Sequence, residues 1–139
     1  MQRFTQSRNL AEAKSLLESG DRAGAARRLT TVTEAGNLPG ITDEALFLLA
    51  LLDLRPAPEH DGNLRALHLL KRLGKDYPAS PWTARSRQLV DLLAGLEEVR
   101  RQVRNLKSQN QSLTNELNEL NRNIDQLKRL DQELEKKRR

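Results

Sequence analysis

The sequence predicts an all-α protein in which two helical hairpins precede one long helix that forms a coiled coil. Apolar residues recur every three or four positions along most of the chain, which is the spacing of one face of a helix. Gly and Pro stand between these segments, where turns are expected. From Leu89 the spacing becomes a seven-residue repeat that continues without a proline. We therefore expect a hairpin domain over residues 1–81 and a long helix over residues 82–139, with the coiled coil starting at about residue 89.

The first hairpin is predicted between Ser7 and Gly36. Its first helix ends near Gly20, a residue type favoured just past a helix C-terminus, and Asp21 is a good N-cap for the second helix. The apolar face of the first helix consists of Leu10, Ala13, Leu16 and Leu17, and that of the second consists of Ala25, Ala26, Leu29 and Val32. Because so few residues join the two helices, they must lie antiparallel.

The second hairpin is predicted between Thr42 and Pro78. Thr42 opens its first helix, and the segment "DEALFLLALLDL" is apolar nearly all round, so we expect this helix to be the most deeply buried. Pro56 and Pro58 are expected to end it, ahead of the polar loop "RPAPEHDG". The apolar stripe of the helix after the loop consists of Ala66, Leu69, Leu70, Leu73 and Tyr77.

These hairpins resemble tetratricopeptide repeats, which are helix-turn-helix units that stack into solenoids. The matching residues are Gly20, Asp21, Ala25, Leu29 and Val32 in the first hairpin, and Ala66, Leu70, Leu73 and Pro78 in the second. The step from Ala25 to Ala66 exceeds the family's repeat of about 34 residues, and an insertion of "PAPEHDG" accounts for the excess. The family's first-helix Trp, Gly and Tyr are not at their expected places, so no peptide-binding residues are carried over.

The long helix starts at Ser80 or Pro81, since Pro is well suited to a first helical turn. Two positions of its seven-residue repeat are almost always apolar and form the predicted oligomer seam. The first positions are Leu89, Leu96, Val103, Asn110, Leu117, Ile124 and Asp131, and the fourth positions are Leu92, Val99, Leu106, Leu113, Leu120, Leu127 and Leu134. A spacing of about 3.5 residues sustained over this length predicts a left-handed coiled coil, about 85 Å long at about 1.5 Å per residue.

No second stretch of comparable length can cover this seam from within the chain, so we expect a partner molecule. Self-association is the simplest solution, because every copy brings the same seam. Asn110 favours a parallel dimer, since it pairs with its counterpart across a two-stranded seam and penalises slipped registers, at a cost in stability. The alternative is that Asn110 is a tolerated polar interruption, hydrated in a trimer or facing a different partner.

The positions beside the seam leave strand orientation open. Charge pairs would specify orientation there, yet many of these positions are neutral, among them Gln102, Gln109, Asn121 and Asn123. Asp131 would face a second carboxylate in a symmetric pair, and Leu130 lies with Leu127 and Leu134 on a slightly shifted face. We therefore expect the seam to loosen or change partner near its end. The terminal "EKKRR" is expected to complement the helix dipole rather than bind phosphates.

Composition argues against a specific nucleic-acid-binding protein. The net charge is +5, from 24 Lys and Arg against 19 Asp and Glu, and the surplus is spread over both parts of the chain. One Trp, one Tyr and two Phe leave few residues for base stacking. The segment "WTARSRQLV" before the seam has too few cations for the basic region of a zipper-type transcription factor. The absence of Cys excludes disulfides, thiolate metal sites and cysteine nucleophiles.

We expect no catalysis, no cofactor and no metal. His60 lies in a loop and His68 in a helix, and neither has a second histidine at ligand spacing. Carboxylates such as Glu97 and Glu98 lie on a long exposed helix, whereas acid-base catalysis needs a pocket that excludes water. Neither a glycine-rich phosphate loop nor a nucleophile motif occurs in the sequence.

Tetratricopeptide-like hairpins followed by a coiled coil ending in "IDQLKRLDQELEKKRR" resemble small bacterial envelope lipoproteins, some of which accompany two-component sensor kinases. This resemblance implies a signal peptide and a lipid-bearing Cys upstream of Met1, a periplasmic or outer-membrane-anchored location, and an adaptor that binds an unidentified protein. A membrane contact is then expected only through that anchor, because the most apolar run of the sequence is too short to span a bilayer. The alternative is a cytoplasmic assembly scaffold whose hairpins bind a helix or peptide of a partner.

Overall fold

The computed structural model describes residues 1–54 and 61–139. Every secondary-structure element in this part of the chain is a helix, which confirms the all-α fold class with a long last helix. The elements are α1 (Gln2–Glu18), α2 (Arg22–Glu34), α3 (Thr42–Asp53), α4 (Asp61–Asp76) and α5 (Pro81–Arg138). The chain divides into two compact units, Met1–Leu96 and Glu97–Arg139. Pro56 and Pro58, expected to end α3, lie outside the described residues.

The turn between α1 and α2 has the geometry that its sequence favours. Gly20 has a φ of 87°, a left-handed conformation that costs glycine little. The Asp21 amide donates to the Leu16 carbonyl at 2.9 Å and the Gly20 amide donates to the Leu17 carbonyl at 3.2 Å, which satisfies the last carbonyls of α1. The Asp21 carboxylate then accepts from the Gly24 amide at 2.9 Å and caps α2. The two helices pack against each other as the first hairpin.

The segment between α2 and α3 is fixed by one buried hydroxyl. Thr42 is fully buried. Its Oγ1 accepts from the Leu38 amide and donates to the Gly36 carbonyl, both at 2.9 Å. Because a buried polar backbone group without a partner destabilises a fold by about 1 to 3 kcal/mol, these bonds hold the connection in one conformation. Thr42 is also the residue that the sequence predicted to open the third helix.

α3 is the central helix of the first unit, since its buried residues contribute to two hydrophobic clusters. The first cluster joins α1, α2 and α3 and contains Leu10, Ala13, Ala25, Leu29, Val32, Ile41, Ala45, Leu49 and Leu52. The second cluster joins α3, α4 and α5 and contains Leu46, Ala50, Ala66, Leu67, Leu70, Leu73, Tyr77 and Leu93. A buried third helix was expected from the sequence, and most of α3 is buried, although Phe47 and Leu48 are half-buried and Leu51 is 39% exposed.

The start of α5 packs on the second hairpin. Ser80 Oγ donates to the buried Asp43 carboxylate at 2.7 Å and accepts from the Trp82 amide at 3.2 Å. Further along the helix, Leu93 is buried in the second hydrophobic cluster. These contacts place residues 82–96, which the sequence assigned to the long-helix domain, in the first compact unit.

Candidate self-association interface

The second unit, Glu97–Arg139, is formed by a single helical segment. Every residue from 101 to 139 is exposed in the single chain. Large apolar side chains nevertheless recur along this segment, each between 43% and 66% exposed, and we call these ten residues the apolar stripe: Val99, Val103, Leu106, Leu113, Leu117, Leu120, Ile124, Leu127, Leu130 and Leu134. A surface of this kind is typical of an interface that a single chain does not complete.

The apolar stripe follows one face of α5. Between Leu113 and Leu127 its members are separated by alternating steps of four and three positions. Such steps keep side chains on one side of a helix, because each residue turns the chain by about 100°. The stripe contains the residues of the predicted oligomer seam from Val99 onward, apart from Asn110 and Asp131, and adds Leu130 to them.

The first three residues of the predicted seam belong to the first unit and differ in their surroundings. Leu89 is half-buried and packs against the second hydrophobic cluster. Leu92 is 71% exposed, and Leu96 is 36% exposed. The difference arises because this part of α5 turns another face, which includes Leu93, toward the protein's own core. Leu89 therefore stabilises the fold of a single chain. Heptad spacing alone does not distinguish such a residue from one that contacts a second chain.

Two polar residues interrupt the apolar face. Asn110 is exposed and lies between Leu106 and Leu113 in the order of the repeat. Asp131 lies near the end of the helix and is exposed. Its neighbours on this part of the surface include the exposed apolar residues Leu127, Leu130 and Leu134. Any molecule that covers the stripe has to accommodate an amide in its middle and a carboxylate near its end.

Charges at the start of the second unit pair along the helix itself. Glu97 and Arg100 form an ion pair at 3.1 Å, and Glu98 pairs with Arg101 in the same way. Each pair joins residues three positions apart and stabilises the helix by about 0.2 to 0.5 kcal/mol. At the other end, the last turn of α5 is basic, which complements the helix dipole. The two ion pairs at the start of the second unit therefore stabilise the long helix itself.

A second concave surface lies in the first unit. This groove has a volume of about 810 Å³ and is lined by Ala26, Thr30, Leu49, Asp53, Leu64, Arg65, Leu67, His68, Leu69 and Lys71, which come from α2, α3 and α4. Leu64 is 41% exposed, and Arg65 pairs with Asp53 at 4.0 Å. The sequence did not predict the groove, because it depends on how α4 lies beside α2. The residue that could have indicated the groove was Leu64, because it is apolar and lies outside the predicted apolar stripe of α4.

Of the two histidines, the structure describes His68. His68 is exposed and lines the groove in the first unit, and His60 lies outside the described residues. Within residues 1–54 and 61–139, no group of three His, Asp or Glu side chains is arranged to hold a metal ion. Over the same ranges, no helix is both long enough and apolar enough to cross a membrane.

No protein-family model, curated protein or solved structure matches the chain. Of the two surfaces, the apolar stripe is the more unusual, because large apolar side chains follow one face of an exposed helix from Val99 to Leu134.

Proposed function

We propose that the protein is a non-catalytic adaptor of the bacterial envelope, which self-associates through the apolar stripe and binds a partner protein through its first unit. One observation carries this proposal: ten large apolar side chains lie along a helix that is exposed over residues 101–139. An exposed apolar surface of this length is typical of a protein interface. Its covering partner is a second copy, because each copy brings an identical stripe.

The free energy available from the stripe exceeds the cost of association. Burying the exposed half of a Leu, Ile or Val side chain contributes about 1 kcal/mol, so ten residues in each of two copies contribute about 20 kcal/mol. The loss of translational and rotational freedom costs about 4 to 15 kcal/mol. The surplus is about 5 to 16 kcal/mol, and a dimer that persists at micromolar concentration needs more than about 8 kcal/mol of it.

Asn110 supports a parallel pair in register. In that arrangement Asn110 faces the same residue of the second copy, and the two amides donate to and accept from each other. A slip by one heptad would instead place each amide against Val103 or Leu117, where it would be buried without a partner. The amide therefore selects one register, although a Leu at this position would give a more stable pair.

The groove between α2, α3 and α4 is the surface that we assign to the partner protein. It combines apolar side chains such as Leu49 and Leu64 with the cations Lys71 and Arg65, the second of which pairs with Asp53 in the same groove. Apolar contacts beside cations suit a short amphipathic helix that carries acidic residues. The resemblance of the hairpins to tetratricopeptide repeats supports this use, because stacked helical hairpins commonly present binding surfaces.

The envelope location rests on the resemblance to small envelope lipoproteins. The sequence of the native precursor tests it directly. A leader that ends at a lipidated Cys ahead of this chain supports the envelope adaptor, whereas translation that starts at Met1 supports a cytoplasmic assembly scaffold.

Crosslinking in native cells, followed by recovery of the full chain, tests the adaptor function. Leu64→Glu places a carboxylate in the groove at a side chain that is 41% exposed, so the first unit should still fold. Phe4→Glu is the matched control, since Phe4 is 77% exposed and does not line the groove. We expect envelope proteins to be recovered with the natural chain and with Phe4→Glu but lost with Leu64→Glu. Recovery of cytoplasmic proteins or nucleic acid alone, or recovery unchanged by Leu64→Glu, contradicts the proposal.

A further inference from the structure

The end of the apolar stripe departs from the seven-residue repeat. In an uninterrupted repeat the position after Leu127 is Asp131, whereas the next apolar residue is Leu130. Leu127, Leu130 and Leu134 are 66%, 54% and 55% exposed. Both Leu130 and Asp131 are exposed at this end of α5. A second molecule that covers this end of the helix can therefore contact it along a line through Leu130 or along a line through Asp131.

The geometry of the helix does not favour either line. At about 100° per residue, Leu130 lies about 50° to one side of the midline between Leu127 and Leu134, and Asp131 lies about 50° to the other side. The chemistry of the two residues decides the choice. A symmetric interface through Asp131 brings two carboxylates together and leaves Leu130 at its edge. An interface through Leu130 buries both leucines and keeps both carboxylates at its edge.

We propose that the interface between two copies changes phase at Leu127, so that Leu130 rather than Asp131 faces its counterpart. This inference rests on the proposed self-association through the apolar stripe. The change is equivalent to inserting three residues in the seven-residue repeat, which locally overwinds a coiled coil. It makes Leu130 an interface residue and moves Asp131 to the flank of the interface.

Charges near the C-terminus agree with this phase in a parallel pair. After the change, Leu134 lies at position a of the heptad and Glu133 lies at the flanking position g just before it. Arg138 lies five residues after Glu133, at the flanking position e on the other side of the seam. In a parallel coiled coil these two positions of neighbouring copies approach each other. Glu133 of one copy then faces Arg138 of the other. In the unchanged phase the corresponding residues are Leu130 and Glu135, which form no ion pair.

Single cysteines test the proposal cleanly, because residues 1–139 contain no Cys. The full chain is prepared as Leu120→Cys, Leu130→Cys or Gln132→Cys, and disulfide formation in a glutathione buffer is followed by non-reducing electrophoresis. Leu120→Cys reports contact in the regular part of the stripe, and Gln132→Cys reports a position that points outward in either phase. Because a disulfide requires Cα atoms within about 7 Å, Leu130→Cys should crosslink nearly as fast as Leu120→Cys and about tenfold faster than Gln132→Cys.

A second variant tests whether the carboxylate of Asp131 sets the phase. Asp131→Leu restores the seven-residue repeat, so in the double variant Leu130→Cys/Asp131→Leu the crosslinking rate should fall about tenfold toward that of Gln132→Cys. An unchanged rate would overturn this cause.

The cysteine variants separate the failure of this inference from that of the proposed function. Rapid crosslinking of Leu120→Cys with slow crosslinking of Leu130→Cys refutes the phase change and leaves self-association intact. Slow crosslinking of Leu120→Cys, Leu130→Cys and Gln132→Cys alike refutes the parallel, in-register pair on which the inference rests, and sedimentation equilibrium then tests self-association itself.

Discussion

Leu46→Ala should destabilise the first unit by about 4 kcal/mol. Leu46 is fully buried in the second hydrophobic cluster, where α3, α4 and the start of α5 meet. Fully buried Leu→Ala changes cost about 2.7 to 5.0 kcal/mol, because they remove apolar contacts and leave a cavity. Ala50 and Ala66 belong to the same cluster. These short side chains do not reach into the space left by Leu46, so we expect the upper half of that range.

Trp82 makes the measurement specific to the first unit. It is the only Trp of the chain, its ring lies 5.1 Å from that of Phe47, and the Arg85 guanidinium lies 4.6 Å over it. Its fluorescence in a urea titration of the full chain therefore reports unfolding of this unit. With a urea dependence of about 1.5 kcal/mol per molar, a loss of about 4 kcal/mol lowers the midpoint by about 2.5 M.

Leu51→Ala is the matched control, because Leu51 lies on the same helix and is 39% exposed. Its truncation should cost about 1 kcal/mol and lower the Trp82 midpoint by less than about 1 M. A midpoint shift for Leu51→Ala that equals or exceeds the shift for Leu46→Ala would refute the assignment of the buried face of α3.

Two further substitutions test the capping and register arguments. Asp21→Ala removes the side chain that accepts from the Gly24 amide. It should lower the free energy of unfolding of the first unit by about 0.5 to 2 kcal/mol, measured by the same Trp82 titration. An unchanged urea midpoint would show that the cap contributes nothing. Asn110→Leu should raise the melting temperature measured by circular dichroism, and light scattering should detect more than one oligomeric state. A lower melting temperature together with a single oligomeric state would contradict the role given to Asn110.

Much of the fold could be predicted from the sequence because its signals are local. Gly20 and Asp21 stop one helix and cap the next through backbone geometry that adjacent residues determine. Thr42 begins α3 where the sequence places it. The long helix follows from an unbroken run without proline, and its apolar face follows from heptad spacing. Each of these signals depends on neighbours within a few positions in the chain.

The features that the sequence did not predict depend on contacts between distant residues. Leu89 fits the heptad repeat as well as Leu92 does, yet one packs on the protein's own core and the other is exposed. The bond from Ser80 to Asp43 joins residues 37 positions apart. The groove beside Leu64 likewise requires the relative placement of three helices. Spacing along one helix contains no information about which neighbour covers which face.

Sedimentation equilibrium of the full chain at about 20 µM tests the central claim, that a second copy covers the apolar stripe. The natural chain should have twice the mass of its 15.8 kDa polypeptide. The matched variant Leu113→Lys/Leu117→Lys should have a mass near 15.8 kDa and an unchanged Trp82 urea midpoint, because both residues lie in the second unit. A mass near 15.8 kDa for the natural chain, or an unchanged mass for the Lys variant, would contradict self-association through the stripe.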